Sequence, residues 1–169
     1  MFMKTIAAAL LLGGAAGAQP PADEFKASGG TIRITPIRHA SLLIQAGGQN
    51  VYVDPAQGNF DGLPKADLIL LTDIHFDHFV PDLVAKLRKP ESIVVGPEAV
   101  AQKLKGIEIL RNGESKTFGA WKVEALPAYN IKRGPSPGQF YHEKGRGNGY
   151  IVTWSDKRIY VAGDTENIP

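Results

Sequence analysis

With 169 residues, 19 Lys+Arg against 17 Asp+Glu and no cysteine, the chain has room for one domain with a real core, or for part of a larger one. A net charge of +2, scattered rather than blocked, offers no basic face for nucleic acid or an anionic membrane. The missing cysteine excludes a disulfide framework, a lipid-anchor thiol and any thiolate ligand, so a transition metal here has to be held by histidines and carboxylates.

Residues 1–18 read as a cleavable signal peptide. Met1-Phe2-Met3-Lys4 carries one positive charge, an Ala- and Leu-rich run follows, and Ala16-Gly17-Ala18 supplies the small residues of a cleavage site. The run is shorter than the roughly 18–20 residues that span a bilayer, so the expectation is a periplasmic or secreted protein with no stable membrane anchor. Residues 19–30 read as a polar, Pro- and Gly-marked lead-in. Residues 31–35 then alternate with period two, as in a strand with one buried face, and 41–46 and 51–54 form a hairpin around Gly47-Gly48. The run 67–72 is continuously apolar, which predicts a strand covered on both faces. Pro81 opens a helix to about Leu87, 92–95 is another buried strand, and 97–104 a second short helix. Short strands are predicted near 107–110, 116–118 and 121–126. The stretch 128–148, rich in Gly and Pro, reads as a surface loop beside a site. A last hairpin spans 149–154 and 158–162. Strands first and then strand–helix alternation predict an α+β, layered α/β fold.

The chemistry concentrates where the buried run ends, in Thr72-Asp73-Ile74-His75-Phe76-Asp77-His78. A loop at the carboxyl end of a buried strand is where open sheets bind ligands. A single His there is usually a solvated or core residue, and a single Asp a cap. Asp73, His75, Asp77 and His78 together would repel or stay expensively desolvated without a compensating cation. Imidazole and carboxylate donors suit zinc first and admit manganese or iron, and two ions sharing one water lower its pKa enough to present hydroxide at neutral pH.

This motif resembles the Thr-His-x-His-x-Asp-His hallmark of the metallo-β-lactamase superfamily. His39-Ala40-Ser41 running into Leu42-Leu43-Ile44, then Asp54-Pro55, resembles the opening hairpins of its lactonase-like and phosphodiesterase-like branches. Gly163-Asp164-Thr165 resembles the segment whose Asp bridges two metals. The resemblance covers 31–169 and implies an αββα sandwich, here its N-terminal half and part of the second sheet. It implies a hydrolase with two divalent ions, acting through metal-held hydroxide on an ester, lactone, amide or phosphodiester bond of a small-molecule substrate, and the signal-peptide reading makes it an exported one. The basic loop residues Lys132, Arg133, Lys144 and Arg146 would meet an anionic substrate. His75 would help hold the first metal, Asp77 and His78 the second, and Asp164 would bridge, with Asp77 also orienting the attacking water or taking its proton. His39 or Asp54 would support from behind.

Three departures qualify the resemblance. Asp73 stands where the hallmark has His, a harder, charged donor, although a related branch carries Thr-Asp-x-His-x-Asp-His. The superfamily's next His is replaced by Ala128-Tyr129-Asn130, making Asn130 a weak ligand or an oxyanion donor, with Tyr129 and His142 as neighbours in reach of substrate. The superfamily's last metal His lies beyond the bridging Asp, so the sequence reads as a piece of a longer chain, or as one completed by self-association. The competing functional reading is a truncated or vestigial metal-binding protein without turnover.

Overall fold

The computed structural model describes residues 21–169; the signal-peptide reading of 1–18 lies outside the described residues. Seven strands form one sheet in sequential order: β1 (Asp23–Ala27), β2 (Gly30–Arg38), β3 (Ser41–Ala46), β4 (Gln49–Val53), β5 (Ala66–Leu70), β6 (Arg88–Gly96) and β7 (Glu108–Ile109). β1 to β4 are antiparallel neighbours, and β4 to β7 run parallel. The second sheet is antiparallel, in the order β11 (Lys157–Val161), β10 (Gly147–Trp154), β9 (Trp121–Ala128), β8 (Ser115–Phe118). Helices α1 (Pro81–Leu87) and α2 (Glu98–Lys103) cross between β5 and β6 and between β6 and β7. The class is the expected α+β sandwich.

Side-chain alternation builds the layers. Ile44, Val51, Val53, Leu68 and Leu70 point from the seven-stranded sheet toward Trp121, Val123, Ala125, Tyr150, Val152 and Trp154 of the other sheet. The intervening Leu43, Tyr52 and Ile69 point the opposite way, onto Val84, Leu87 and Val100 of the two helices. β5 is therefore buried on both faces, which is why its sequence reads as one apolar run. Pro at the first turn of α1 costs no helical hydrogen bond.

The lead-in reading needs correction. Asp23–Ala27 pairs in register with β2, from Asp23 opposite Ile34 to Ala27 opposite Gly30. The hairpin turn is made by Ser28 and Gly29 with Gly30 at φ 134, and Ser28 N–H donates to Asp156 Oδ1 at 2.6 Å. β1 is an edge strand with little burial, so it lacks the hydrophobic alternation that marks the inner strands.

Strand direction gathers the loops. The ends of β2, β4 and β5 fall at one end of the first sheet, and the ends of β9 and β11 with the start of β10 fall at the matching end of the second. Asn148 N–H donates to Thr72 O at 2.9 Å and Tyr150 Oη to Leu71 O at 2.8 Å, tying the two ends together.

Candidate metal centre

Asp54 and Thr72 follow neighbouring parallel strands, and they clasp each other. Thr72 donates from N–H to Asp54 Oδ1 at 2.7 Å and from Oγ1 to Asp54 Oδ2 at 2.6 Å. Asp54 is 1% exposed and takes a positive φ of 42, a conformation that Asp tolerates better than most residues. Its Oδ2 also accepts from His78 Nδ1 at 2.8 Å. That bond places the Nδ1 proton against a carboxylate and turns Nε2 into the site, the arrangement by which a carboxylate orients a ligating histidine.

His78 Nε2 is buried and has no hydrogen-bond partner. Asp164 Oδ2 lies 3.2 Å away, but off the direction a hydrogen bond requires, so the two groups interact as charges that converge on a common point. Burial alone would lower the His78 imidazole, yet Asp164 and Asp54, one at each ring nitrogen, raise it to about 10. Burial pushes the Asp54 carboxyl up, against the pull of His78 and Thr72. His78 holds the Asp164 carboxyl below its ordinary value despite partial burial, with His142 and His39 adding to the effect.

Among the described residues two donor groups result: His39, Asp77 and His78, and separately Asp73, His75 and His142, each with ligand atoms within 4.8 Å of one another. All four histidines of the chain are in them. In the first group His39 Nε2 lies 3.2 Å from Asp77 Oδ2. In the second, Asp73 Oδ2 is 3.2 Å from His75 Nδ1 and 3.6 Å from His142 Nε2, and the two ring nitrogens are 3.2 Å apart. Bonds of about 2.0–2.1 Å at tetrahedral angles put neighbouring donors about 3.3 Å apart, so the spacings suit a transition metal. One oxygen joins the groups: Asp164 Oδ2 is 3.2 Å from His78 Nε2 and 2.8 Å from His142 Nε2.

The sequence expectations fall out unevenly. Asp73, His75, Asp77, His78 and Asp164 are brought together, and Asp54 stands behind His78. His39, expected at most as a support, instead faces Asp77 and His78 directly, from the β2–β3 turn at φ 53. Asn130 is 7% exposed, and its Oδ1 accepts from both the backbone N–H and the Nδ1 of His142, at 3.1 and 2.8 Å. That oxygen is thereby committed to His142 and is not free to ligate. Two donors on one atom identify it as the amide oxygen, so His142 carries its proton on Nδ1 and presents a bare Nε2 to Asp164. That Nε2 lies 2.8 Å from Asp164 Oδ2 and 3.2 Å from His75 Nδ1, an arrangement in which imidazole and carboxylate donors can share a cation. Burial lowers the His142 imidazole, Asp164 and Asp73 oppose this, and His75 and Arg146 reinforce it, in keeping with a neutral ring. In place of a histidine in the segment after Trp121, the 128–148 loop brings His142 to this donor group. A usable signal existed: with no cysteine and four histidines, an imidazole-rich site must draw on nearly every His.

Arg146, noted in the sequence only as a basic loop residue, reaches Asp73 with Nε at 3.2 Å and Nη2 at 2.8 Å. Gly163 precedes Asp164 at φ 64, and a Cβ there would lie 2.6 Å from Asn148 O; only glycine brings β11's end this close to β10. Two cavities flank Asp164. One, of about 290 Å³, is lined by Asn130, Arg133, Tyr141 and His142; the other, of about 240 Å³, by His39, Asp54, His78 and Tyr160. A larger cavity of about 460 Å³ between β1–β2 and β11 is lined by no histidine and by one carboxylate, Glu24. Among the described residues, no helix is long and apolar enough to cross a membrane.

The family described as "Beta-lactamase superfamily domain" matches residues 33–169. A UPF0173 metal-dependent hydrolase of Flavobacterium johnsoniae is 32% identical over 145 residues, covering 79% of this chain and 62% of its own length. A Pyrococcus furiosus protein of the same description is 28% identical over 145 residues, with the same coverages of 79% and 62%. The chain therefore spans about 62% of the length of these relatives. The crystal structure of a protein described as a metal-dependent hydrolase, from Parabacteroides distasonis, is 37% identical with a TM-score of 0.82, covering 88% of this chain and 68% of that one. A diiron β-hydroxylase of Streptomyces venezuelae shares the fold at 19% identity and a TM-score of 0.64, covering 88% of this chain and 31% of that one.

Proposed function

The chain belongs to the metallo-β-lactamase superfamily, and from that premise we propose that it is a metal-dependent hydrolase holding two divalent ions, zinc first, with manganese or iron as alternatives. The observation that carries the reading is the single oxygen Asp164 Oδ2, which contacts a histidine of each donor group. His39, Asp77 and His78 would hold one ion, Asp73, His75 and His142 the other, with Asp164 between them. When bound, the pair would supply Lewis acidity and a water of lowered pKa.

The remaining work falls to side chains. Asp77 Oδ2 faces the site and is partly exposed, which suits it to orient the attacking water and accept its proton. Asp54 and Thr72 fix the His78 ring so that Nε2 faces the site. Asn130 does the same for His142. Arg133 and Tyr141, on the wall of the cavity beside Asp164, would meet an anionic or polar group of a small substrate carrying an ester, lactone, amide or phosphodiester bond. With the signal-peptide reading of 1–18, the proposed location is the periplasm or the exterior.

The test is hydrolysis of a panel of esters, lactones and phosphodiesters by chelator-stripped chain and by the same chain reloaded with Zn or Mn. Activity restored by metal and lost in Asp164→Ala and Asp77→Ala supports the reading. Full metal occupancy with no turnover across the panel would favour a metal-binding protein without turnover.

A further inference from the structure

The two donor groups differ in one respect that the motif does not explain. The Asp73/His75/His142 group already contains a positive charge. Asp73 is 2% exposed, and the Arg146 guanidinium lies along its carboxylate edge in a forked pairing. Nη2 bonds Oδ2, the same oxygen that faces His75 and His142, and it stands 3.3 Å from His75 Nε2. The other oxygen, Oδ1, also accepts from Ile74 N–H at 2.8 Å. Among the described residues, the His39/Asp77/His78 group has no Lys or Arg paired with its carboxylate.

The placement of Arg146 is built by the backbone. It precedes Gly147, the first residue of β10, where a Cβ would lie 3.2 Å from Thr72 O and 3.9 Å from Asp73 Cγ. Gly145 on its other side takes φ 85, and Arg146 N–H donates to Glu143 O at 3.2 Å. With Asn148 N–H on Thr72 O, the start of β10 is held against the strand end that carries Asp73. The arginine stem thus has little choice of direction.

We propose that Arg146 is a resident cation of the Asp73 group, so that the two halves of the centre fill in order. The His39/Asp77/His78 group takes the first ion. The Asp73/His75/His142 group takes the second only at higher metal concentration, because a dication there must share or displace the guanidinium on Oδ2, and like charges at such distances repel strongly in a partly buried site. This rests on the reading that both groups hold divalent ions.

The experiment is calorimetric titration of the chelator-stripped full chain with Zn²⁺, supported by elemental analysis. Wild type should bind one ion tightly and a second at least ten-fold more weakly. His142→Ala should remove only the weak step. Arg146→Met should tighten the weak step at least ten-fold and leave the tight one unchanged, drawing the two together. Two ions of equal affinity in wild type, loss of the tight step in His142→Ala, or a weaker second step in Arg146→Met would overturn the proposal while leaving the hydrolase reading intact. No zinc binding at all would overturn both. If Arg146→Met leaves Asp73 uncompensated and does not fold, Arg146→Lys keeps the charge without the fork: retention of the ordered filling supports the proposal, and its disappearance counts against it.

Discussion

Replacing Asp54 separates the stability of the site from its capacity to bind metal. Its carboxylate accepts three hydrogen bonds, from Thr72 N–H, Thr72 Oγ1 and His78 Nδ1. Asp54→Ala strands two buried donors that cannot turn away, Thr72 N–H and His78 Nδ1–H, at about 1–3 kcal/mol each. The expected loss is about 2–6 kcal/mol in urea unfolding, increased by placing Ala at φ 42. Asp54→Asn behaves differently. Its amide oxygen must remain at Oδ1 to satisfy Thr72 N–H, so its NH₂ takes the Oδ2 position and faces His78 Nδ1. Thr72 Oγ1 can turn and accept, but His78 is driven to the tautomer protonated on Nε2, the wrong one for a ligand. Stability should therefore fall by less than about 2 kcal/mol, while Zn affinity falls about 10–100-fold. Urea unfolding of the stripped chain and calorimetric Zn titration give the two numbers. Wild-type affinity in Asp54→Asn would refute the orienting role of this carboxylate.

Three further outcomes follow from the same geometry. Gly163→Ala combines a left-handed φ with a 2.6 Å approach to Asn148 O; it should lower stability by about 1–3 kcal/mol and reduce metal occupancy, read by thermal unfolding and elemental analysis. Asn130→Ala leaves His142 without its anchor and should weaken one of the two ions about ten-fold with little change in circular dichroism. Ser28 N–H and then Lys157 hold the Asp156 carboxyl below the usual carboxylate range. Its contribution is present above the unfolded value near 4 and is lost as pH falls through the lowered folded value. Asp156→Asn should thus narrow the gap between wild type and variant in unfolding scans as the pH is taken into that acid window; a gap that stays constant with pH would contradict it.

Much of the sandwich was legible because burial writes itself into period. β5 reads as an apolar run since both faces are covered, and β2 and β9 alternate since one face is. α1 announces itself through Pro81. β1 was not legible: an edge strand with few buried side chains has no pattern to read, and its register comes from the Ser28–Gly29 turn and the Asp156 contact. The motif residues 72–78 and Asp164 were visible because acidic and imidazole groups crowd into short segments at strand ends. His142 and Arg146 were harder, because they lie in the 128–148 loop, where no periodicity exists and position depends on the Asn130 clasp and the Gly145/Gly147 flanks. In sequence His39 reads as a support at most, because a single His at a strand end has an ordinary structural explanation; strand direction brings it to Asp77.

The central claim is that two ions sit on either side of Asp164. Anomalous diffraction from a zinc-soaked crystal, collected above and below the zinc edge, tests it most directly. Two peaks are predicted, one among His39, Asp77 and His78 and one among Asp73, His75 and His142, with Asp164 between them. Peaks only at surface residues, or none at saturating zinc, would contradict it.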